Sequence, residues 1–205
     1  MKKLRLFNQS STKNKTIQVR TIKVVLFLIS LHAPLTIASQ LPDHSVYQYQ
    51  STWLNQNNQA GNFIELQGKP RLVAFIYTYC EHTCPYIIAK IQTILTNLPA
   101  SLEQNMQVTL ITLDPKRDTT DQLKSYLLQH RLDESQWTML TGHEDDVRVL
   151  SNLFGVKYKA MAKDELAHSN LITLIDTDGI IQYQMKGLGE PTDIIREKII
   201  AIDSP

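Results

Sequence analysis

Features that often reveal a function are scarce in this sequence. Its 205 residues include only two cysteines and seven glycines. Two cysteines cannot build the disulfide framework of small secreted proteins, so the fold must be stabilised by apolar packing. The sequence has no glycine-rich phosphate-binding loop, and it has no basic stripe beyond its first 23 residues. These absences argue against nucleotide and nucleic-acid binding.

The composition is that of an ordinary globular domain. Hydrophobic residues make up 42% of the chain and charged residues 20%, which predicts one well-buried domain. The formal net charge of +1 hides an asymmetry, because seven lysines and arginines and no acidic residue lie in the first 23 positions. The rest of the chain is therefore net acidic.

An apolar run, "VVLFLISLHAPLTIA" at residues 24–38, follows this basic segment. The run is interrupted by His32 and Pro34 and is shorter than the about 20 residues that cross a membrane. Thr36 and Ala38 suit cleavage after residue 38, which predicts an export signal; the alternative is an uncleaved N-terminal membrane anchor. Residues 1–39 are thus a targeting segment, and residues 40–205 form a periplasmic domain. In that oxidising compartment two cysteines form a disulfide unless a reductant or a metal intervenes.

Hydrophobic periodicity predicts alternating strands and helices after residue 40. "VYQYQ" and "FIEL" alternate like strands around the turn-rich "LNQNNQAGN", which indicates a hairpin. Three buried strands, four helices and a second hairpin are expected next. The strands are "RLVAFIYTY", "MQVTLITLD" and "WTMLTG", the helices "PYIIAKIQTILTNL", "DTTDQLKSYLLQH", "HEDDVRVLSNLFG" and "PTDIIREKIIAI", and the hairpin "LITLIDTDGIIQYQM". Residues 156–167 are predicted to be a loop. This order predicts an α/β fold with helices on both faces of a central mixed sheet.

Both cysteines lie in "YTYCEHTCP". Cys80 follows a predicted central strand, and Cys84 begins a helix whose first turn suits Pro85. A helix N-terminus favours the thiolate form, which attacks disulfides and binds metals. Residues four apart on a helical turn face the same side, so the sulfurs are able to share one soft ion or form a disulfide. Thioredoxin-type couples normally have two intervening residues rather than three. The pair is therefore predicted to be a redox couple or two metal ligands.

A soft-metal site with two sulfurs needs a third donor, for which imidazole is the usual choice. Of the six histidines, four fall in the signal, in the N-terminal tail or at helix ends: His32, His44, His130 and His143. His168 differs, because it ends a long loop just before a predicted sheet strand. Such a histidine is as often structural as functional, and only its combination with Cys80 and Cys84 makes it a candidate ligand.

Three segments, in order, carry a family resemblance over about residues 50–201. "YTYCEHTCP" resembles the cysteine motif of the Sco/SenC family of copper proteins, and "ITLDPKRDTTDQLKSY" and "AHSNLITLIDTDG" are similar to its later segments. The resemblance implies a thioredoxin-like three-layer sandwich with an extra N-terminal β-hairpin. It implies one copper ion, as Cu(I), Cu(II) or both, bound by Cys80, Cys84 and His168. It also implies a role in assembling the dinuclear copper site of cytochrome c oxidase, by copper delivery or by reduction of the oxidase cysteines. The implied partners are the copper-bearing oxidase subunit and a periplasmic thiol reductant or copper donor.

Some residues depart from the family pattern or have two interpretations. Family members often have Pro, Asp and Val between the cysteines, where this chain has Glu81, His82 and Thr83. His82 is either a solvent-facing loop residue or an accessory ligand. Asp114 is either a turn residue or a hydrogen-bonding partner near the metal.

Two functions compete with copper delivery. A metal-free thiol-disulfide oxidoreductase would use Cys80 and Cys84 without His168. A peroxidase would attack peroxide with one thiolate, but no Thr-x-x-Cys peroxidatic pattern precedes the pair, so this function ranks last.

Overall fold

A computed structural model describes residues 40–161 and 165–202. The predicted targeting segment, residues 1–39, lies outside the described residues. Within the described ranges, no helix has the length and apolar character needed to cross a membrane.

The described chain contains nine β-strands, five α-helices and two short 3-10 helices. The strands are β1 Thr52–Asn55, β2 Ala60–Asn62, β3 Arg71–Ile76, β4 Gln107–Thr112, β5 Trp137–Gly142, β6 Tyr158–Ala160, β7 Leu166–His168, β8 Leu171–Ile175 and β9 Ile181–Lys186. The helices are α1 Thr83–Thr96, α2 Ala100–Asn105, α3 Thr120–Gln129, α4 Glu144–Leu153 and α5 Asp193–Ile202.

Seven strands form one mixed sheet in the order β2-β1-β5-β4-β3-β8-β9. The three central strands β3, β4 and β5 are parallel, and β1 and β8 join them antiparallel. This sheet, with helices on both faces, confirms the predicted thioredoxin-like fold and its N-terminal hairpin. The carboxyl ends of β3 and β4 lie side by side, at the edge where open α/β sheets place their ligands.

Strand β3 lies at the centre of the sheet and is buried along its whole length. Its side chains alternate between two core clusters, with Leu72 and Ile76 on one face and Val73 and Phe75 on the other. Helices α1, α3 and α5 cover the first face, and α4 packs on the second. The continuous apolar run that predicted this strand reflects burial on both faces.

Helix α1 is fixed against the first face by five apolar side chains at three- and four-residue intervals. These are Ile87, Ile88, Ile91, Ile94 and Leu95, each at most 4% exposed. Burial of such a side chain contributes about 1.5 to 3 kcal/mol. The N-terminus of α1, where Cys84 lies, is therefore held firmly against the sheet.

The N-terminal hairpin is present, but β2 and the second half of β1 lie inside the segment predicted to be the turn, residues 54–62. The segments predicted as strands instead form the 3-10 helices Val46–Gln48 and Phe63–Leu66. Their apolar residues serve the core, because Tyr47 and Phe63 are almost completely buried. The turn is tightened by the Asn55 side chain, which accepts two backbone N–H groups from the turn at 2.9 and 3.0 Å.

The prediction of a loop at residues 156–167 was wrong. Strands β6 and β7 form a separate two-stranded antiparallel sheet, called the ribbon below, in which Tyr158 pairs with His168 and Ala160 with Leu166. Three residues per strand are too few to show an alternating pattern. His168 is consequently the last residue of a strand rather than of a loop.

Candidate metal centre

Cys80 takes the place of a capping residue at the start of α1. His82 occupies the N-cap position without a side-chain capping bond, so the free N–H groups of the first turn need another acceptor. The Cys84 amide lies 3.4 Å from the Cys80 sulfur, and the His82 amide also donates to it. A tight turn, closed by the Cys80 amide and the Tyr77 carbonyl at 3.2 Å, brings the sulfur to this position directly after β3.

The ribbon brings His168 to the same place. Beyond the strand pair, the ribbon is extended by the Ser169 amide, which donates to the Lys157 carbonyl at 2.8 Å. Tyr77, next after β3, accepts the Leu166 amide at 3.4 Å, and its ring meets that of His168 edge to face at 6.0 Å. Tyr77 thus links the ribbon to the strand that carries Cys80.

The sulfurs of Cys80 and Cys84 and a ring nitrogen of His168 all lie within 4.8 Å of one another. The sulfur of Cys84 is 3.7 Å from Nε2 of His168. Donors about 2.3 Å (sulfur) and 2.0 Å (nitrogen) from a shared ion in a trigonal site are about 3.7 Å apart. The spacing therefore fits one ion bound by all three residues.

The orientation of the His168 ring also suits a metal ligand. Nδ1 lies 3.1 Å from the Ser169 carbonyl oxygen. A carbonyl only accepts hydrogen bonds, so Nδ1 carries the hydrogen, and the neutral ring keeps a lone pair on Nε2, which faces Cys84. A backbone carbonyl that fixes the tautomer in this way is usual behind a metal-binding histidine.

The two thiols differ in acidity. The hydrogen bond from Cys84, together with the amides at the start of α1, lowers the pKa of Cys80 well below its usual value. The same hydrogen bond and deep burial raise the pKa of Cys84 above its usual value. In the metal-free reduced pair these opposite shifts favour the thiolate on Cys80 and the thiol on Cys84.

This difference predicts selective alkylation of the reduced protein. Because Cys80 is already a thiolate, its rate of reaction with iodoacetamide should be nearly constant between about pH 5 and 8, where an ordinary thiol gains tenfold per pH unit. Peptide mass spectrometry should find the label on Cys80 and not on the buried Cys84. In the control variant Cys80→Ser, the remaining thiol should react slowly at neutral pH. A Cys80 rate that climbs tenfold per unit would contradict the assignment.

A buried carboxylate that the sequence did not identify as a site residue supports the cysteine turn. Asp118 is completely buried and accepts hydrogen bonds from the Thr78 amide at 3.1 Å, the Thr78 hydroxyl at 2.6 Å and the Thr112 hydroxyl. Burial raises the pKa of Asp118, and these hydrogen bonds act in the opposite direction. Asp118 joins the turn before Cys80 to the end of β4.

Asp118 does not cap α3, although aspartate is a common capping residue. The neighbouring Thr119 is the cap, and its hydroxyl accepts a hydrogen bond from the Gln122 amide. Asp114 instead forms an ion pair with Arg117. It is therefore Asp118, not Asp114, that reaches the cysteine turn.

A cleft of about 510 Å³ opens beside Cys80. Its lining includes the exposed Glu81 and His82, which lie between the cysteines. It also includes Met161 and Glu165, which lie directly after β6 and directly before β7 of the ribbon. His82 is exposed and lies outside the three-residue group described above. Cys84 is completely buried beneath this region.

The other histidines in the described chain lie elsewhere. His44 is exposed near the N-terminus of the described chain. His130 follows the last turn of α3 and stacks on Tyr126 with 4.3 Å between ring centroids. His143 caps α4 through the Asp145 amide. Their predicted positions at helix ends are confirmed for His130 and His143.

Comparison with known proteins gives consistent matches. The sequence profile of the SCO1/SenC family matches residues 40–202. A SCO2-like protein of Rickettsia prowazekii is 32% identical over 135 residues, which is 62% of this chain and 62% of that protein. The chain thus spans less than two thirds of that relative's length. A second SCO2-like protein of the same organism is 30% identical over 178 residues, covering 80% of this chain and 88% of the relative.

Solved structures show the same fold. The crystal structure of Arabidopsis thaliana ScoI with copper bound superposes with a TM-score of 0.65 at 17% identity, covering 75% of this chain and 98% of that chain. At this level of identity the match establishes the fold.

Proposed function

The chain belongs to the SCO1/SenC family, and on that premise we propose that it binds one copper ion through Cys80, Cys84 and His168 and assists assembly of the dinuclear copper site of cytochrome c oxidase. The observation that carries this proposal is the convergence of two sulfurs and one imidazole nitrogen within 4.8 Å.

The donor set fits copper better than zinc. Thiolates and an imidazole are soft to borderline donors that suit Cu(I), and three donors match its trigonal preference. A structural zinc site is nearly always four-coordinate with protein ligands. In the described part of the chain, the converging group has three members. The ion is cargo, held by residues able to release it.

The same pair of cysteines supports a second role, reduction of the oxidase cysteines. A dithiol reductase needs one thiolate to attack the target disulfide and one thiol to resolve the mixed disulfide. Cys80 and Cys84 show this division, since their pKa values are shifted in opposite directions. In this role Cys80 attacks, Cys84 displaces the reduced target, and the pair leaves as a disulfide that a periplasmic thiol reductant must restore.

Copper stoichiometry tests the proposal. The reduced protein titrated with Cu(I) without oxygen should bind about one ion per chain, with X-ray absorption reporting two sulfurs and one nitrogen. Cys80→Ser and Cys84→Ser should each lower Cu(I) affinity by at least about 100-fold. As a control, His143→Ala should bind copper like wild type, because His143 is exposed and distant from the group. A wild-type protein that prefers zinc, or binds neither ion, would refute the proposal.

Two assays separate delivery from reduction. Copper-loaded protein mixed with the reduced, copper-free oxidase domain should transfer copper to that domain if it delivers copper, and metal analysis of the separated domain measures the transfer. Metal-free reduced protein mixed with the oxidised domain should convert each disulfide of that domain into two thiols if it acts as a reductase, while its own cysteines form a disulfide. Thiols are counted on the separated oxidase domain.

We also propose a periplasmic location, with the N-terminal segment acting as a cleaved signal or as an anchor on the outer face of the inner membrane. The basic lead-in and the apolar run at residues 24–38 support this placement. Expression with and without that segment, followed by fractionation, tests it.

A further inference from the structure

The cleft beside Cys80 contains soft donors that the three-residue centre does not use. Cys80, His82 and Met161 line it, whereas Cys84 and His168 are absent from its described lining. Cys80 is therefore the one member of the centre, among the described residues, that also faces the cleft. An ion moving between the buried centre and solvent is able to stay bound to Cys80 while its other ligands change.

Met161 is unusually placed for a methionine. Its side chain is 53% exposed, whereas the other three methionines in the described ranges are at most 1% exposed: Met106, Met139 and Met185. Its amide donates to the Glu165 carbonyl at 2.7 Å, which continues the ribbon past its last strand pair. The backbone therefore holds this thioether at the cleft, and a thioether is a soft ligand for Cu(I).

The charges of the cleft favour a cation. The side chains of Glu81 and Glu165 line it and are exposed. Among the described lining residues, the guanidinium is that of Arg117, which is offset by its ion pair with Asp114 and lies over the Tyr79 ring. Carboxylates at the mouth of a cleft raise the local concentration of cations.

We infer that Cys80, His82 and Met161 form a transfer subsite through which Cu(I) enters and leaves the buried centre. This inference rests on the proposed copper-binding function. On release, the bonds from copper to the Cys84 sulfur and the His168 nitrogen break, and bonds to the Met161 thioether and the His82 imidazole form. Copper remains Cu(I), no electron moves, and the freed Cys84 thiolate takes a proton from water. A thiolate of the receiving protein then displaces the neutral thioether. Further donors of the receiving site displace the His82 imidazole and finally the Cys80 thiolate, which stays behind as the free anion, and loading follows the same steps in reverse.

Trapping copper in the subsite tests the inference directly. The variant Cys84→Ser with His168→Ala removes two ligands of the buried centre and keeps the three subsite donors. It is produced with selenomethionine, loaded with one equivalent of Cu(I) as the acetonitrile complex without oxygen, and measured by X-ray absorption at both edges. A copper–selenium contact is expected, and it should vanish when Met161→Leu is added. A folded variant that binds no copper, or binds it without selenium, would overturn the subsite.

A kinetic test avoids substitutions in the core. In the otherwise wild-type protein, Met161→Leu combined with His82→Gln should leave equilibrium copper affinity within about threefold. The rate of Cu(I) transfer to bicinchoninate should fall about tenfold. Tyr79→Leu is the matched control, because Tyr79 lines the same cleft with the same 53% exposure but offers no soft donor.

The two failures are distinguishable. If wild type binds no copper, the proposed function falls. If wild type binds copper, and the variant Met161→Leu with His82→Gln transfers it as fast as the Tyr79→Leu control, only the subsite is refuted.

Discussion

Replacing His168 with alanine is expected to lower copper affinity by at least about 100-fold, since loss of a residue that only supports a ligand already costs 10- to 100-fold. The physical reason is that two sulfurs remain while the nitrogen 3.7 Å from the Cys84 sulfur is removed. Competition against a Cu(I) chelator of known affinity measures the change. His168 is half-buried at the end of the ribbon, so the fold should survive.

The same variant separates the two functions. Disulfide exchange by Cys80 and Cys84 should persist in His168→Ala, because the hydrogen bond from Cys84, which lowers the pKa of Cys80 more than the one from His168 does, remains. The Cys80 sulfur is held by the first turn of α1. His130→Ala, at the end of α3, provides a matched histidine control. Unchanged copper affinity in His168→Ala would contradict the assignment of His168 as a copper ligand.

Replacing Asp118 with alanine is expected to lower the free energy of unfolding by about 3 kcal/mol, because each donor left unpaired in the interior costs about 1 to 3 kcal/mol. The Thr78 amide, the Thr78 hydroxyl and the Thr112 hydroxyl would all lose their acceptor. Urea unfolding of the metal-free reduced protein measures this loss. Copper affinity should fall as well, since the turn that positions Cys80 loses its support.

Asp118→Asn is the matched control. The amide oxygen keeps one of the two acceptor positions, the amide N–H is able to donate to a threonine hydroxyl at the other, and no charge is buried, so the cost should be about 1 kcal/mol. Because burial raises the pKa of Asp118, the folded protein binds more protons than the unfolded chain between the two pKa values. Stability from this group therefore falls as pH rises through that window, and the asparagine variant should lack this dependence. Equal losses for Ala and Asn would contradict a hydrogen-bonding role.

The sequence was sufficient for the longer elements whose apolar residues follow a regular pattern, either continuous or at helical spacing. The apolar run of β3 and the isoleucine spacing of α1 each predicted an element close to its observed bounds. In both elements the apolar positions in the sequence are the positions that are buried in the core. These two elements placed Cys80 after the end of a strand and Cys84 at the start of a helix. The closeness of the two cysteines could therefore be predicted as well.

Short or irregular elements could not be predicted in this way. Tyr47 and Phe63 are buried from 3-10 helices, where alternation of apolar residues does not mean a strand. The ribbon is too short for any period to appear. Asp118 and Thr119 are both common capping residues, and nothing local indicates which one turns inward to the cysteine turn. His168 was singled out by elimination among histidines and by the family resemblance, and the structure brings it to the sulfurs.

The ribbon has a consequence for how tightly an ion is held. The two sulfurs belong to the edge between β3 and α1, whereas the imidazole belongs to two three-residue strands that, among the described residues, pair only with each other. The apparent dissociation constant equals the intrinsic one divided by the fraction of molecules in which the ribbon is closed. A partner that separates the ribbon from Tyr77 would thus weaken copper binding without disturbing the sheet.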